Sequence, residues 1–193
     1  LKTFATGIIH GINSAMGRGY EFLQWTKEVA RIFSDNNLPL VWCSPSGMWV
    51  VQSSWKTIPK VIRCVEFSLV SPIEHEPQVG GDIIRSRQVN GFAPNLVHSC
   101  DAAHLTFVIN RMFLANNVNH MVVPVHDQFG VHPNYVTKLR SVLLDEFVRM
   151  HSENFLVDTV EAMSYIGGVE LPHPPEPGDF DINVVRGAYY AFS

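Results

Sequence analysis

Between Tyr20 and Ser34 the apolar residues Phe22, Trp25, Val29, Ile32 and Phe33 return at three- and four-residue steps, which predicts a helix with one buried face. Asn36, Asn37 and Pro39 punctuate its end. Leu38 to Cys43 and Met48 to Gln52 then predict two strands around the turn Ser44-Pro45-Ser46-Gly47. Lys60 to Val70 is a further strand candidate, and Ser71 to Gly91, with two Pro and three Gly, predicts a long loop. A long helix is expected within Phe92 to Asn117, striped by Val97, Leu105, Val108, Ile109, Met112 and Phe113. Asn119 to Val125 is β-rich and runs into His126-Asp127-Gln128-Phe129-Gly130. Helices follow from about Pro133, whose fixed φ suits a first turn, to Met150, and then through Tyr165. The four prolines of Leu171 to Gly178 predict a stiff connector before a short terminal helix and the aromatic end Tyr189-Tyr190-Ala191-Phe192-Ser193. Leu1 to Gly19 is Gly-rich and weakly helical in pattern. Helices and hairpins in this order give an α+β class.

Composition narrows the class. With 46% hydrophobic and 17% charged residues in 193, the chain has the makeup of a packed domain, not of a disordered tail. No apolar run reaches the roughly 20 residues needed to span a bilayer, and the first ten lack the pattern of a secretory signal. The expected setting is soluble and intracellular. Cys43, Cys64 and Cys100 stand too far apart for a disulfide framework or a zinc site, and read as free buried thiols. A net charge of −4 runs against a broad phosphate-binding surface, so any nucleic-acid role needs a local basic patch or charge from another chain.

Two segments carry candidate chemistry. Asp127 follows a β-run and precedes Gly130, and a carboxylate at a hairpin tip is well placed to hold magnesium, which takes one or two carboxylates plus water and phosphate. The competing reading is an ordinary turn aspartate. A His-Asp pair of the metal-dependent phosphohydrolase kind needs a helix, which Pro124 and the β-branched residues before His126 oppose. The second segment runs from Ala93 to Leu105. On a helix, His98, Asp101 and Leu105 share one side, either as a pair facing a groove or as surface residues near a helix start.

Taken in order, these segments resemble the closing third of the single-subunit RNA polymerases of bacteriophages and mitochondria. Ala93-Pro94-Asn95, His98-Ser99, Asp101 and His104-Leu105 resemble that family's APNF-x-H-S-x-D-x-x-H block. His126-Asp127-Gln128-Phe129-Gly130 is similar to its HDSFG signature, motif C. Trp42, Ser44-Pro45-Ser46-Gly47, Val50 and Gln52 are similar to its W-x-T-P-x-G-x-P-V-x-Q strand-turn-strand, and Gln88 and Gly91 to the approach to the His98 block. Gly178, Asp181-Ile182, Val185 and the aromatic end resemble its C-terminal foot.

The resemblance implies a palm-type right-hand polymerase fold, with about 1–37 on the fingers side and about 38–193 forming palm and foot. It implies that Asp127 is one of two aspartates holding two Mg2+ ions, with His126 in support. It places His98 and Ser99 at the RNA 3′ end, Arg85 and Arg87 at nucleic-acid phosphate, and Phe192 and Ser193 near the active site. The other aspartate, of motif A, and the nucleotide-gripping helix of motif B do not occur in these residues. The implied enzyme is therefore a DNA-directed RNA polymerase that works with a second chain, as a heterodimer or as the remainder of a longer protein, on a DNA template, an RNA product and NTPs. A phage polymerase would act in the bacterial host cytoplasm, an organellar one in the mitochondrial matrix. Trp49, Trp55, Leu96 and Gln128 depart from the family's usual Pro, Tyr, Phe and Ser without removing a metal ligand. A non-catalytic palm-fold interaction subunit and a fragment of an A-type DNA polymerase are the alternatives.

Overall fold

The computed structural model describes residues 6–7, 11, 14–64, 69–77, 80–114, 122–125 and 128–190, with the backbone alone at 58–64, 69–77 and 114. Among them, α1 spans Arg18–Asp35, β1 Leu40–Cys43 and β2 Trp49–Gln52, followed by β3 Thr57–Cys64 and β4 Leu69–Pro77. The long α2 covers Arg85–Leu114, β5 Val122–Val125, β6 Gln128–Val131, α3 Val136–His151 and α4 Phe155–Gly167. Short 3-10 turns lie at Pro133–Tyr135 and Ile182–Gly187. The strands form three separate antiparallel pairs, β1 with β2, β3 with β4 and β5 with β6. The α+β class follows.

Helix α1 buries the face that its spacing predicts, through Trp25, Val29, Ala30 and Phe33. It stops where Asn36 caps the carbonyl of Ile32 and Asn37 turns to a φ of 55°, a left-handed value that asparagine tolerates. The hairpin β1–β2 then alternates as a half-buried ribbon should: Leu40 and Trp42 are fully buried, while Trp49 and Val51 lie open. Its turn closes with a 2.8 Å bond from the Ser44 N–H to the Met48 carbonyl, and Gly47 supplies a φ of 84° that a β-carbon would strain.

Three expectations are corrected here. The expected single strand over Lys60 to Val70 divides between two antiparallel strands, β3 and β4, which pair from Thr57 with Pro77 to Cys64 with Leu69. Of the long loop expected over Ser71 to Gly91, β4 takes the first part, to Pro77, and α2 the last, from Arg85. Pro72 and Pro77 mislead because both strands of a two-stranded ribbon are edges, where a missing N–H costs little. The expected helix start is also late: α2 begins seven residues before Phe92 and runs through Pro94.

Helix α2 is the beam of the molecule, about 45 Å long at 1.5 Å per residue. Its N-terminal half puts Phe92 and Leu96 into a core with α1, Leu40, Trp42, Val160 and Met163. Its C-terminal half puts Val108 and Met112 against Val122, Leu139 and Val142, with Phe129 and Val131 packed alongside. The first core is closed from outside by the proline connector, whose Pro172 carbonyl accepts from the Trp25 indole at 2.9 Å. Gly167 lets α4 press against α1, since a β-carbon there would stand 2.9 Å from the Phe33 ring.

Candidate active site

Hairpin β5–β6 pairs Val122 with Val131, Val123 with Gly130, Pro124 with Phe129 and Val125 with Gln128. The two residues between the paired ends, His126 and Asp127, lie outside the described residues, as do Phe192 and Ser193. Val122 anchors the ribbon in the second core, and a His132 side chain accepting from the Asn134 N–H leads the chain into α3. A hairpin fastened to two helices is a rigid mount for whatever group its connection carries.

The His98 block occupies the middle of α2 instead of its start, which removes the reading of Asp101 as a helix-dipole partner. His98 and Asp101 are both exposed, and no hydrogen bond or ion pair joins them among the described residues. At 100° per residue Arg87, Pro94, His98 and Leu105 fall along one side of the helix. Arg87 and His98, both exposed, are about 16 Å apart along its axis. Arg85 also lies open, and its guanidinium pairs with Asp35 at 2.9 Å, tying α2 to the end of α1.

Ser99, unlike its neighbour His98, is turned into the protein. It is 6% exposed, its hydroxyl donates to the Leu96 carbonyl at 2.7 Å, and it accepts from the Trp42 indole at 3.0 Å. Beside it a polar seam binds the first hairpin to α2. Gln52 donates to the Gln88 carbonyl and accepts from the Asn95 amide, both at 2.9 Å, while Gln88 donates to the Leu38 carbonyl at 2.9 Å. Gly91 belongs to this seam, for a β-carbon there would stand 3.2 Å from the Gln52 amide nitrogen. Thus Trp42, Gln52, Gln88, Gly91, Asn95 and Ser99, drawn from separate sequence blocks, are one contact set that presents His98 outward.

Two further features were not visible in the sequence. Glu146 is 3% exposed, and Arg111 and Arg149 hold its carboxylate at 2.6 and 2.7 Å. Burial opposes that charge, but the two guanidinium hydrogen bonds outweigh it and keep the carboxyl below its usual range. His104 has its ring nitrogen Nε2 3.0 Å from the Leu143 carbonyl, and burial pushes its pKa down. Cys43 and Cys100 are free thiols, and burial, with Asp101 adding, pushes Cys100 up to about 11. Among the described residues, no three His, Cys, Asp or Glu converge as a metal site, and no helix is long and apolar enough to cross a membrane.

Comparison with known proteins supplies what geometry leaves open. The model of the DNA-dependent RNA polymerase family matches residues 2–167. A chloroplastic and mitochondrial DNA-directed RNA polymerase of Arabidopsis thaliana is 28% identical over 89% of this chain and 16% of its own length. A chloroplastic one of Nicotiana sylvestris is 31% identical over 89% of the chain and 17% of itself. The mitochondrial enzyme of Homo sapiens is 28% identical over 88% of the chain and 14% of itself. The chain therefore spans about a sixth of the length of the curated relatives it matches. With a family model aligned along most of its residues and organellar polymerases similar over nearly all of them, this chain belongs to the DNA-dependent RNA polymerase family of the single-subunit, phage and mitochondrial type.

Proposed function

We propose that the chain is the C-terminal palm and foot portion of a DNA-directed RNA polymerase, adding ribonucleotides from NTPs to an RNA 3′ end on a DNA template. The observation that carries the reading is the hairpin β5–β6, whose register leaves His126 and Asp127 as its connection, at the position of the family's HDSFG signature. In this reading Asp127 is a carboxylate ligand of Mg2+, with His126 beside it. Magnesium, when bound, supplies the Lewis-acid chemistry that activates the RNA 3′-hydroxyl and stabilises the leaving pyrophosphate. Asp127 alone is a partial donor set, so a second carboxylate and the nucleotide-gripping helix come from polymerase sequence beyond these residues. His98, held outward by the seam on α2, faces the RNA 3′ end, and Arg87 meets phosphate farther along the same side. Arg85 reaches phosphate only by giving up Asp35, and Phe192 with Ser193 closes the foot toward the active site.

The test is Asp127→Asn in the assembled polymerase. The amide keeps the size of the side chain and removes its charge. Extension of an RNA primer on template DNA should be lost while template binding and assembly persist; wild-type extension by the variant would refute the metal role. Native mass spectrometry of the purified enzyme decides whether the missing parts arrive on a second chain, as a split enzyme requires, or on the same polypeptide.

A further inference from the structure

Arg140 lies exposed in the first turns of α3, and its partners are backbone atoms of Ala188 and Tyr189. Its Nη2 donates to the Ala188 carbonyl at 2.5 Å and reaches the Tyr189 carbonyl at 3.4 Å, while its guanidinium carbon stands 5.6 Å from the centre of the Tyr189 ring. A planar guanidinium can donate to successive carbonyls and lie over a ring at once; a lysine ammonium does this poorly. One residue earlier, Leu139 is 6% exposed and packs in the core that holds Val122 of β5. A single turn of α3 thus carries the hairpin on its inner side and the chain end on its outer side.

The segment before that contact is built to deliver it. Asp181 accepts from the Asn183 N–H at 3.0 Å to start the last 3-10 turn, and Arg186 crosses to Asp145 of α3 at 3.3 Å. The turn ends where the Ala188 N–H meets the Val185 carbonyl, also at 3.0 Å, leaving the carbonyls of Ala188 and Tyr189 for Arg140. Tyr189 itself is 78% exposed, so packing contributes little to holding it in place.

We propose that Arg140 is a positioning residue for nucleotidyl transfer, a latch that fixes the C-terminal segment to the turn of α3 supporting the β5–β6 hairpin. The proposal rests on the reading of Asp127 as the working carboxylate of that hairpin. Because Arg140 is exposed, its removal costs the fold little, whereas a displaced segment beside reacting groups costs rate steeply.

The experiment compares Arg140→Ala, Arg140→Lys and Asp127→Asn in the intact polymerase. Arg140→Ala should lower kcat for single-nucleotide extension by roughly ten- to a hundredfold, as small misplacements do. The KM for nucleotide should stay within about twofold, which marks an effect on the transition state and not on binding. The melting temperature should move by no more than about 3 °C. Amide exchange at Ala188, whose N–H is bonded to the Val185 carbonyl, should quicken, and Arg140→Lys should recover part of the rate. Unchanged exchange, a kcat at the wild-type value, or a loss that follows melting temperature with no recovery in Arg140→Lys each overturns the latch. Wild-type extension by Asp127→Asn instead overturns the reading beneath it, a result distinguishable because the exchange measurement is independent of activity.

Discussion

The Trp42 indole donates its N–H to the Ser99 hydroxyl at 3.0 Å, joining the first hairpin to the middle of α2 across 57 residues of sequence. Both side chains are buried, and the T-shaped contact of Trp42 with Phe92, ring centres 5.5 Å apart, fixes the indole from the other side. Ser99→Ala should therefore strand a buried donor and destabilise the protein by about 1–3 kcal/mol. In a thermal or denaturant melt, Trp42→Phe combined with Ser99→Ala should cost less than the sum of the two single changes. Strict additivity would show that the bond contributes nothing beyond the two residues' packing.

His98 occupies the same helix one position earlier and behaves oppositely. It is exposed, so His98→Ala should leave the melting temperature nearly unchanged and slow extension, or alter its fidelity, less severely than Asp127→Asn does. A drop in stability in place of the drop in rate would assign His98 to the fold.

Stability should fall on acidification, and the sign follows from two groups. Burial lowers the pKa of His104 in the folded chain, so the unfolded chain takes up its proton first, near pH 6.5. The stability held above that pH is lost as pH falls below it, and the loss levels off beneath the folded value. The groups near the ring are His151, which also opposes its charge, and Glu146 and Asp101, which favour it. Glu146, held low by Arg111 and Arg149, adds a second loss as pH drops through the carboxylate range to its folded value. Melting temperatures between pH 8 and 4 should show both limbs, and His104→Gln should flatten the upper one. An unaltered upper limb in that variant would remove His104 from the account.

Much of the frame was legible from spacing and turn chemistry. The three- and four-residue rhythm of Phe22 to Phe33 gives α1, and Ser44 to Gly47 gives the turn of β1–β2. The first two turns of α2 were hidden because the residue buried there is Gln88, a polar side chain that an apolar stripe cannot include. Pro94 hid the continuity of the same helix, since its missing N–H and its ring normally end one. At the site, the hairpin under His126 and Asp127 was readable as a β-run followed by Gly130. The burial of Ser99 was not, because its partner Trp42 belongs to another block. Nor was Arg140, whose acceptors are main-chain oxygens that any sequence would supply at those places.

Since α2 enters both apolar clusters, neither cluster can melt and leave the other with a complete wall. Phe92 and Leu96 complete one, Val108 and Met112 the other, and the rod between them carries His98. Unfolding should then be a single concerted event, and the distance from the His98 block to the β5–β6 ribbon is set by a fixed length of helix and not by a hinge.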